Sequence, residues 1–137
     1  MYFLFTNRSK TKSFYLILGE KALFELVENF YQIMESDPFA VDCLNLHELD
    51  NGKVPTATKQ KLFSFLSGWL GGPPLFQQKF GPPKMRARHA HLKISEQLSL
   101  QWLHCMKKSL AKSPLSLIER RILMKSFTAL TRRIQNS

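Results

Sequence analysis

Apolar residues in this chain recur every three or four positions, not every second one. Between residues 20 and 35 they fall at Leu23, Leu26, Val27, Phe30, Tyr31 and Met34, a stripe down one helix. Asp37-Pro38 closes it, because the residue before a proline avoids helical backbone angles. Residues 39–55 mix apolar and turn residues, with a turn at Asp50-Asn51-Gly52 and Pro55 at the start of a second helix. That helix carries Leu62, Phe65, Leu66, Trp69 and Leu70, with Thr56 or Thr58 as its cap. Gly71-Gly72-Pro73-Pro74 stops it. A proline-rich loop then leads to residues 84–90, room for about two turns of a short basic helix. Ser95 caps a third long helix bearing Leu98, Trp102, Cys105, Met106 and Leu110. Ser116 and Glu119 have the spacing of a capping box and open the last helix, with Leu123, Phe127, Leu130 and Ile134. No segment alternates as a strand would, so the pattern predicts an all-α domain of four substantial helices and one short basic one.

Composition supports one domain with a real core. The chain has 137 residues, 44% of them hydrophobic and 11 of them Phe, and a domain this long buries roughly two-thirds of its unfolded surface. No apolar run approaches the roughly 20 residues of a membrane span. The opening MYFLFTNRSKTK lacks the long apolar middle of a secretory signal. Residues 1–12 are therefore expected as a loosely ordered extension, with a single domain over 13–137, in a cytoplasmic protein. Cys43 and Cys105 form no C-x-x-C or C-x-x-C-H, which excludes a zinc knuckle, a dithiol redox motif and a covalently attached c-type haem.

The charge is +10 and lopsided. Residues 1–83 balance eight Lys and Arg against eight Asp and Glu, whereas residues 84–137 set twelve against Glu96 and Glu119 alone. An anionic partner or a solvated basic helix face would each account for this. Most of the candidate chemistry lies in KMRARHAHL, residues 84–92. On a helix Met85 and His89 share a face, and Arg86 and Arg88 flank it. An inward histidine, an apolar neighbour and cations at the rim suit haem, whose iron takes a neutral imidazole. A surface helix with an incidental histidine is the plain alternative. A zinc site from His89, His91, His104 and Cys105 fits no usual ligand spacing.

The stretches ENFYQIMESDP, SFLSGWLGGPPLFQQKFGPPKMRARHAHL and QWLHCM, in that order, closely resemble the truncated haemoglobins, specifically the second group, the O-type proteins of bacteria and plants. The resemblance covers residues 15–134. It implies a truncated globin, a two-over-two helical sandwich around one non-covalent haem b. It places the proximal iron ligand at His89 in RARH, and Tyr31, with Phe30 beside it, at the distal tyrosine. It puts His47 at the variable polar position after the first long helix and Trp102 at the tryptophan typical of the group. Thr58, Leu62, Phe65, Met85 and Met106 would complete the haem pocket, with Lys61 and Arg86 as propionate partners. Every apolar member of this set would also suit an ordinary helical core. The polar tips of Tyr31 and Trp102 do not, because a buried O–H or N–H needs a partner.

Departures from the family pattern are local. Gly19-Glu20 replaces a pair of glycines, the loop before the second helix is about three residues longer, Phe76 stands in place of a tyrosine, and HAHL replaces HxPF. The implied function is reversible binding of dioxygen, with NO, CO or peroxide as further ligands. Nitric oxide dioxygenase or peroxidase-like activity would need an external reductant, since no flavin or nicotinamide motif is present, and the basic C-terminal half could dock an acidic reductase. A monomer or homodimer without membrane contact is expected. Two rivals are a small basic helical nucleic-acid-binding protein using residues 84–133, and a globin-fold sensor or adaptor without haem. Scattered charges argue against the first, and the intact set His89, Tyr31 and Trp102 against the second.

Overall fold

A computed structural model of the chain describes residues 14–137; the extension expected over residues 1–12 lies outside the described residues. Helix α1 (Phe14–Ser36) starts earlier than its stripe suggests, and Gly19 (φ 77, ψ 166) breaks it into a short piece and the long stripe-bearing helix. The short piece docks on the end of the next long helix. There the Tyr15 N–H donates to Leu70 O at 3.0 Å, and the Tyr15 ring lies so close to Gly72 that a Cβ there would overlap it.

Asp37-Pro38 ends α1 as expected, and Asp37 Oδ1 accepts from the Phe39 N–H to cap a 3₁₀ turn, Pro38–Ala40. Helix α2 (Val41–Asn45) follows directly, so residues 39–55 hold more helix than their composition suggests. The turn at Asn51 and Gly52 has both residues at positive φ (53 and 76), as a type I′ hairpin turn requires. Behind it Val54 is buried and its N–H donates to Glu35 Oε2 at 2.8 Å.

Helix α3 (Thr56–Trp69) begins at Pro55, which sits at the cap with extended angles. Neither Thr56 nor Thr58 caps it, because both already lie inside the helix. The glycine–proline stop holds, but Leu75–Phe80 forms a further helix, α4, where a loop was expected. The basic helix is one turn, α5 (Met85–Arg88), rather than two: Lys84 is left-handed (φ 38), and His89 has left helical angles (φ −99, ψ 0). Helix α6 (Glu96–Ala111) is capped by Ser95. Helix α7 (Leu117–Ile134) has the full Ser116–Glu119 capping box.

The four long helices pack as two pairs, α1 with α3 and α6 with α7, and α1 crosses α6. Leu23, Phe30 and Met34 of α1 meet Leu66, Met106, Leu110, Leu123 and Phe127 in one fully buried core. Burying such side chains contributes about 1.5–3 kcal/mol each. Polar bonds fix the crossing: the buried Ser109 hydroxyl donates to Leu26 O at 2.7 Å. Gln101 of α6 accepts the Cys43 N–H at 2.8 Å and donates to Asp42 Oδ2 at 3.0 Å, tying α2 down. Among the described residues no helix is long and apolar enough to cross a membrane.

Candidate functional site

His89 follows α5 immediately, half-buried, with ring Nδ1 2.7 Å from Met85 O. A carbonyl can only accept, so Nδ1 carries the proton and a neutral ring presents its lone pair at Nε2. A cavity of about 760 Å³ adjoins this segment. Phe65 and Trp69 of α3, Met85 and Arg86 beside His89, and Leu130 and Ile134 of α7 are among its walls. Arg86 is exposed at this edge and pairs with no carboxylate among the described residues.

The second half of the site is an aromatic cluster on α1 and α6. Phe30 is fully buried and sets its ring edge-on to Tyr31 at 4.9 Å and to Trp102 at 5.1 Å. Tyr31 in turn meets the His47 ring at 5.8 Å. Trp102 continues through Phe127 at 5.5 Å to Trp69, whose ring lies 4.7 Å from Phe127. The cluster is thereby linked to the cavity wall. Burial pushes the Tyr31 hydroxyl well above its ordinary range, with the Cys43 thiol adding to the shift, so it remains a donor at any physiological pH. Among the described residues no hydrogen bond joins Tyr31 Oη or Trp102 Nε1 to a protein group, and neither atom is sealed from solvent. His47 Nδ1 lies 2.8 Å from Cys43 O, so a neutral His47 offers an acceptor nitrogen rather than a donor.

The other expected residues are placed unevenly. Thr58 and Leu62 are half-buried on α3, and Leu62 packs against the core. Met106 is fully buried in the core and is not on the cavity wall. Lys61 is exposed, with Nζ 5.0 Å from the Phe80 ring. Arg88, read as a rim cation, turns back on the chain instead: Nε donates to Pro83 O at 2.6 Å, and Nη2 to Phe80 O at 2.8 Å and Pro82 O at 3.1 Å. Its guanidinium also covers the Phe76 ring at 4.8 Å. Leu130 and Ile134 were legible only as a core stripe, since nothing in their spacing separates a cavity wall from a core.

Other chemistry is muted. Burial pushes the Cys43 thiol up to about 12 and Cys105 to about 11, with Cys105 adding to the first shift and the Asp37 carboxylate to the second. Both thiols are therefore poor nucleophiles and poor metal ligands. His104 is engaged by Asp37 at 2.7 Å. Among the described residues no three His, Cys, Asp or Glu side chains gather as a metal site, against the zinc alternative.

Two crossing helix pairs, a cavity between α3, α5 and α7 with Phe65 and Trp69 in its wall, and one histidine at the end of a short helix beside it define a protein of the globin class. The family described as bacterial-like globin matches residues 13–136. A group 2 truncated hemoglobin of Bacillus subtilis, YjbI, is 36% identical over 96 residues, covering 70% of this chain and 67% of the relative. The cold-adapted truncated hemoglobin of Pseudoalteromonas haloplanktis TAC125 superposes with a TM-score of 0.84 at 37% identity, covering 90% of this chain and 97% of that one. The group II 2-on-2 hemoglobin of Agrobacterium tumefaciens superposes with a TM-score of 0.82 at 26% identity, covering 99% of this chain and 98% of that one. The chain belongs to the bacterial-like globin family, among its group II truncated haemoglobins.

Proposed function

We propose that this globin would hold haem b non-covalently through His89 and bind dioxygen reversibly, with CO, NO and peroxide as further ligands. One observation carries the proposal. His89 is fixed by Met85 O with its Nε2 lone pair free, beside a cavity of about 760 Å³. Iron needs such a nitrogen, and the carbonyl behind the ring sets its orientation and basicity. The residues present fit the group. Phe65 and Met85 supply apolar walls, Arg86, which pairs with no carboxylate among the described residues, is a cation for a propionate, and Lys61 is a second cation on α3. Haem supplies the iron at which a diatomic gas binds. The N–H of Trp102 and the O–H of Tyr31 then favour a ligand that carries negative charge, because Trp is a donor only and Tyr31 stays protonated. His47 serves as an acceptor in this set, or as an iron ligand when no gas is bound. Thr58 and Leu62 are half-buried on α3, and Thr58 is small enough to leave the distal side accessible.

The test is an absorption spectrum of the protein loaded with hemin, before and after dithionite and carbon monoxide. A Soret band that His89→Ala abolishes or greatly alters is expected. A protein that takes up no hemin, or an unchanged band in the variant, would falsify the reading. Use of the gas in nitric oxide or peroxide chemistry requires an electron donor. The cations of α7, Arg120, Arg121, Lys125 and Arg132, pair with no carboxylate among the described residues, which favours an acidic reductase. Its reduction of the loaded protein should slow as salt rises, and a salt-independent rate rules that docking out.

A further inference from the structure

The segment that carries His89 has local backbone bonds, such as Leu92 N–H to His89 O at 3.0 Å, but little apolar burial to hold it. Residues 77–93 contain no buried side chain. Helix α5 is a single turn without a capping side chain, and its N-cap Lys84 is in the left-handed region. Apolar packing and helix propensity therefore cannot fix the imidazole to the tolerance that a metal ligand needs. Met85 O orients the ring, and the backbone that carries it is tied down by side chains that bond it on either side. Upstream, Arg88 gathers the carbonyls of Phe80, Pro82 and Pro83. Downstream, a residue two positions past the end of α7 does the corresponding work. Asn136 Nδ2 donates to Leu92 O at 2.9 Å and to His89 O at 3.4 Å. Its Oδ1 accepts the Ile94 N–H at 2.8 Å, and its own N–H donates to Ile94 O at 2.9 Å. The amide thus uses donor and acceptor at once on three backbone groups, among them the carbonyl of His89 itself.

We infer that Asn136 is the positioning residue for the His89 imidazole, locking residues 89–94 so that the ring stays in place beside the cavity that Met85, Ala87 and Ala90 line. This rests on His89 being the iron ligand, as proposed above. The main helix that α5 packs against is α7, and Asn136 lies just past the end of α7. The same amide therefore transmits the fixed position of a long, well-packed helix to a segment that lacks burial of its own. Arg88 cannot substitute for it, since its donors are occupied on the other side of His89.

The experiment compares wild type, Asn136→Ala, Asn136→Asp and Ser137→Ala, each loaded with hemin. It reads the rate of hemin transfer to excess apomyoglobin and the iron–imidazole stretching band of the ferrous form. Asn136→Ala should release hemin about tenfold faster, the worth of one or two hydrogen bonds, and shift the stretching band, with far-UV helicity unchanged. Asn136→Asp keeps an acceptor for Ile94 N–H but sets a carboxylate against two carbonyls, so it should match or exceed that loss. Ser137→Ala should be silent, because Ser137 contributes its backbone N–H to Ile94 O. If Asn136→Ala matches wild type in both readouts, the inference is overturned. Should that variant not fold, amide exchange in wild type decides: slow exchange of the Ile94 N–H supports the clamp and fast exchange overturns it. A wild type that binds no hemin overturns the proximal reading first, and the clamp's role with it.

Discussion

The two halves of the site are built by opposite means. The aromatic cluster of Phe30, Tyr31 and Trp102 sits on α1 and α6, two of the long helices, and is secured by ring contacts of 4.9 to 5.1 Å around a fully buried phenylalanine. The His89 segment has one helical turn, no buried side chain over residues 77–93, and side-chain bonds from Arg88 and Asn136. Packing energy is non-directional and scales with buried area. Hydrogen bonds are directional but individually worth only about 0.5–1.5 kcal/mol from a neutral amide and about 1.5–3 kcal/mol from a charged guanidinium. One half should therefore be stiff and costly to damage, and the other adjustable at little cost to the fold.

The largest expected effect tests that contrast in thermodynamic terms. Phe30→Ala removes a fully buried ring from the centre of the cluster and should cost about 3–5 kcal/mol of unfolding free energy. Met85→Ala, at a half-buried position on the cavity wall, should cost about 1 kcal/mol or less. Denaturant unfolding of the two variants measures both. Equal losses would mean that the His89 segment is supported by packing after all, and the comparison would fail.

This division also decides what the sequence made legible. The stripe from Leu23 to Met34 and the stripe through Trp102 and Met106 are repeats of a helical period. They name the long helices and, with the family resemblance, the aromatic cluster. Short elements leave no period to read. Helix α4 has six residues between Pro74 and Gly81, and α5 has four, cut short by the left-handed Lys84. Met106 joined the expected pocket through the family resemblance, and its side chain is fully buried in the core. Asn136 could not have been found at all. Its side-chain partners are backbone groups 42 to 47 positions away, and a backbone carbonyl carries no sequence signature.

A smaller effect sharpens the comparison on the functional side. Trp102 is half-buried, and its ring is gripped by Phe30 and Phe127. A hydrogen bond to a charged acceptor is worth about 1.5–3 kcal/mol, or roughly 10- to 150-fold in dissociation. Trp102→Phe keeps most of the packing and deletes the donor, so oxygen release measured by rapid mixing should speed up by such a factor. Hemin transfer should stay near wild type, because the His89 segment is untouched. Oxygen release that does not change would remove Trp102 from ligand stabilisation.

The smallest effect separates the halves by pH. Asp37 locks the end of α1 to α6: its carboxylate accepts from His104 Nε2 at 2.7 Å, from the Phe39 N–H at 3.0 Å and from Lys108 Nζ at 3.0 Å. These bonds, the His104 one foremost, hold Asp37 well below the usual carboxylate range. A carboxyl whose folded-state pKa is depressed stabilises the protein above its unfolded value, near about 3.9, and that stabilisation is lost as pH falls toward the folded value. The clamps on the other half involve a guanidinium and an amide, neither of which titrates in this window. Asp37→Asn should therefore lower the melting temperature most above about pH 5, and the gap to wild type should close as the solution is acidified. Hemin transfer at a fixed temperature should show no matching dependence on residue 37. A gap that persists unchanged into acid would mean that the substitution merely disturbs the 3₁₀ turn, and that the α1–α6 lock owes nothing to the carboxylate charge.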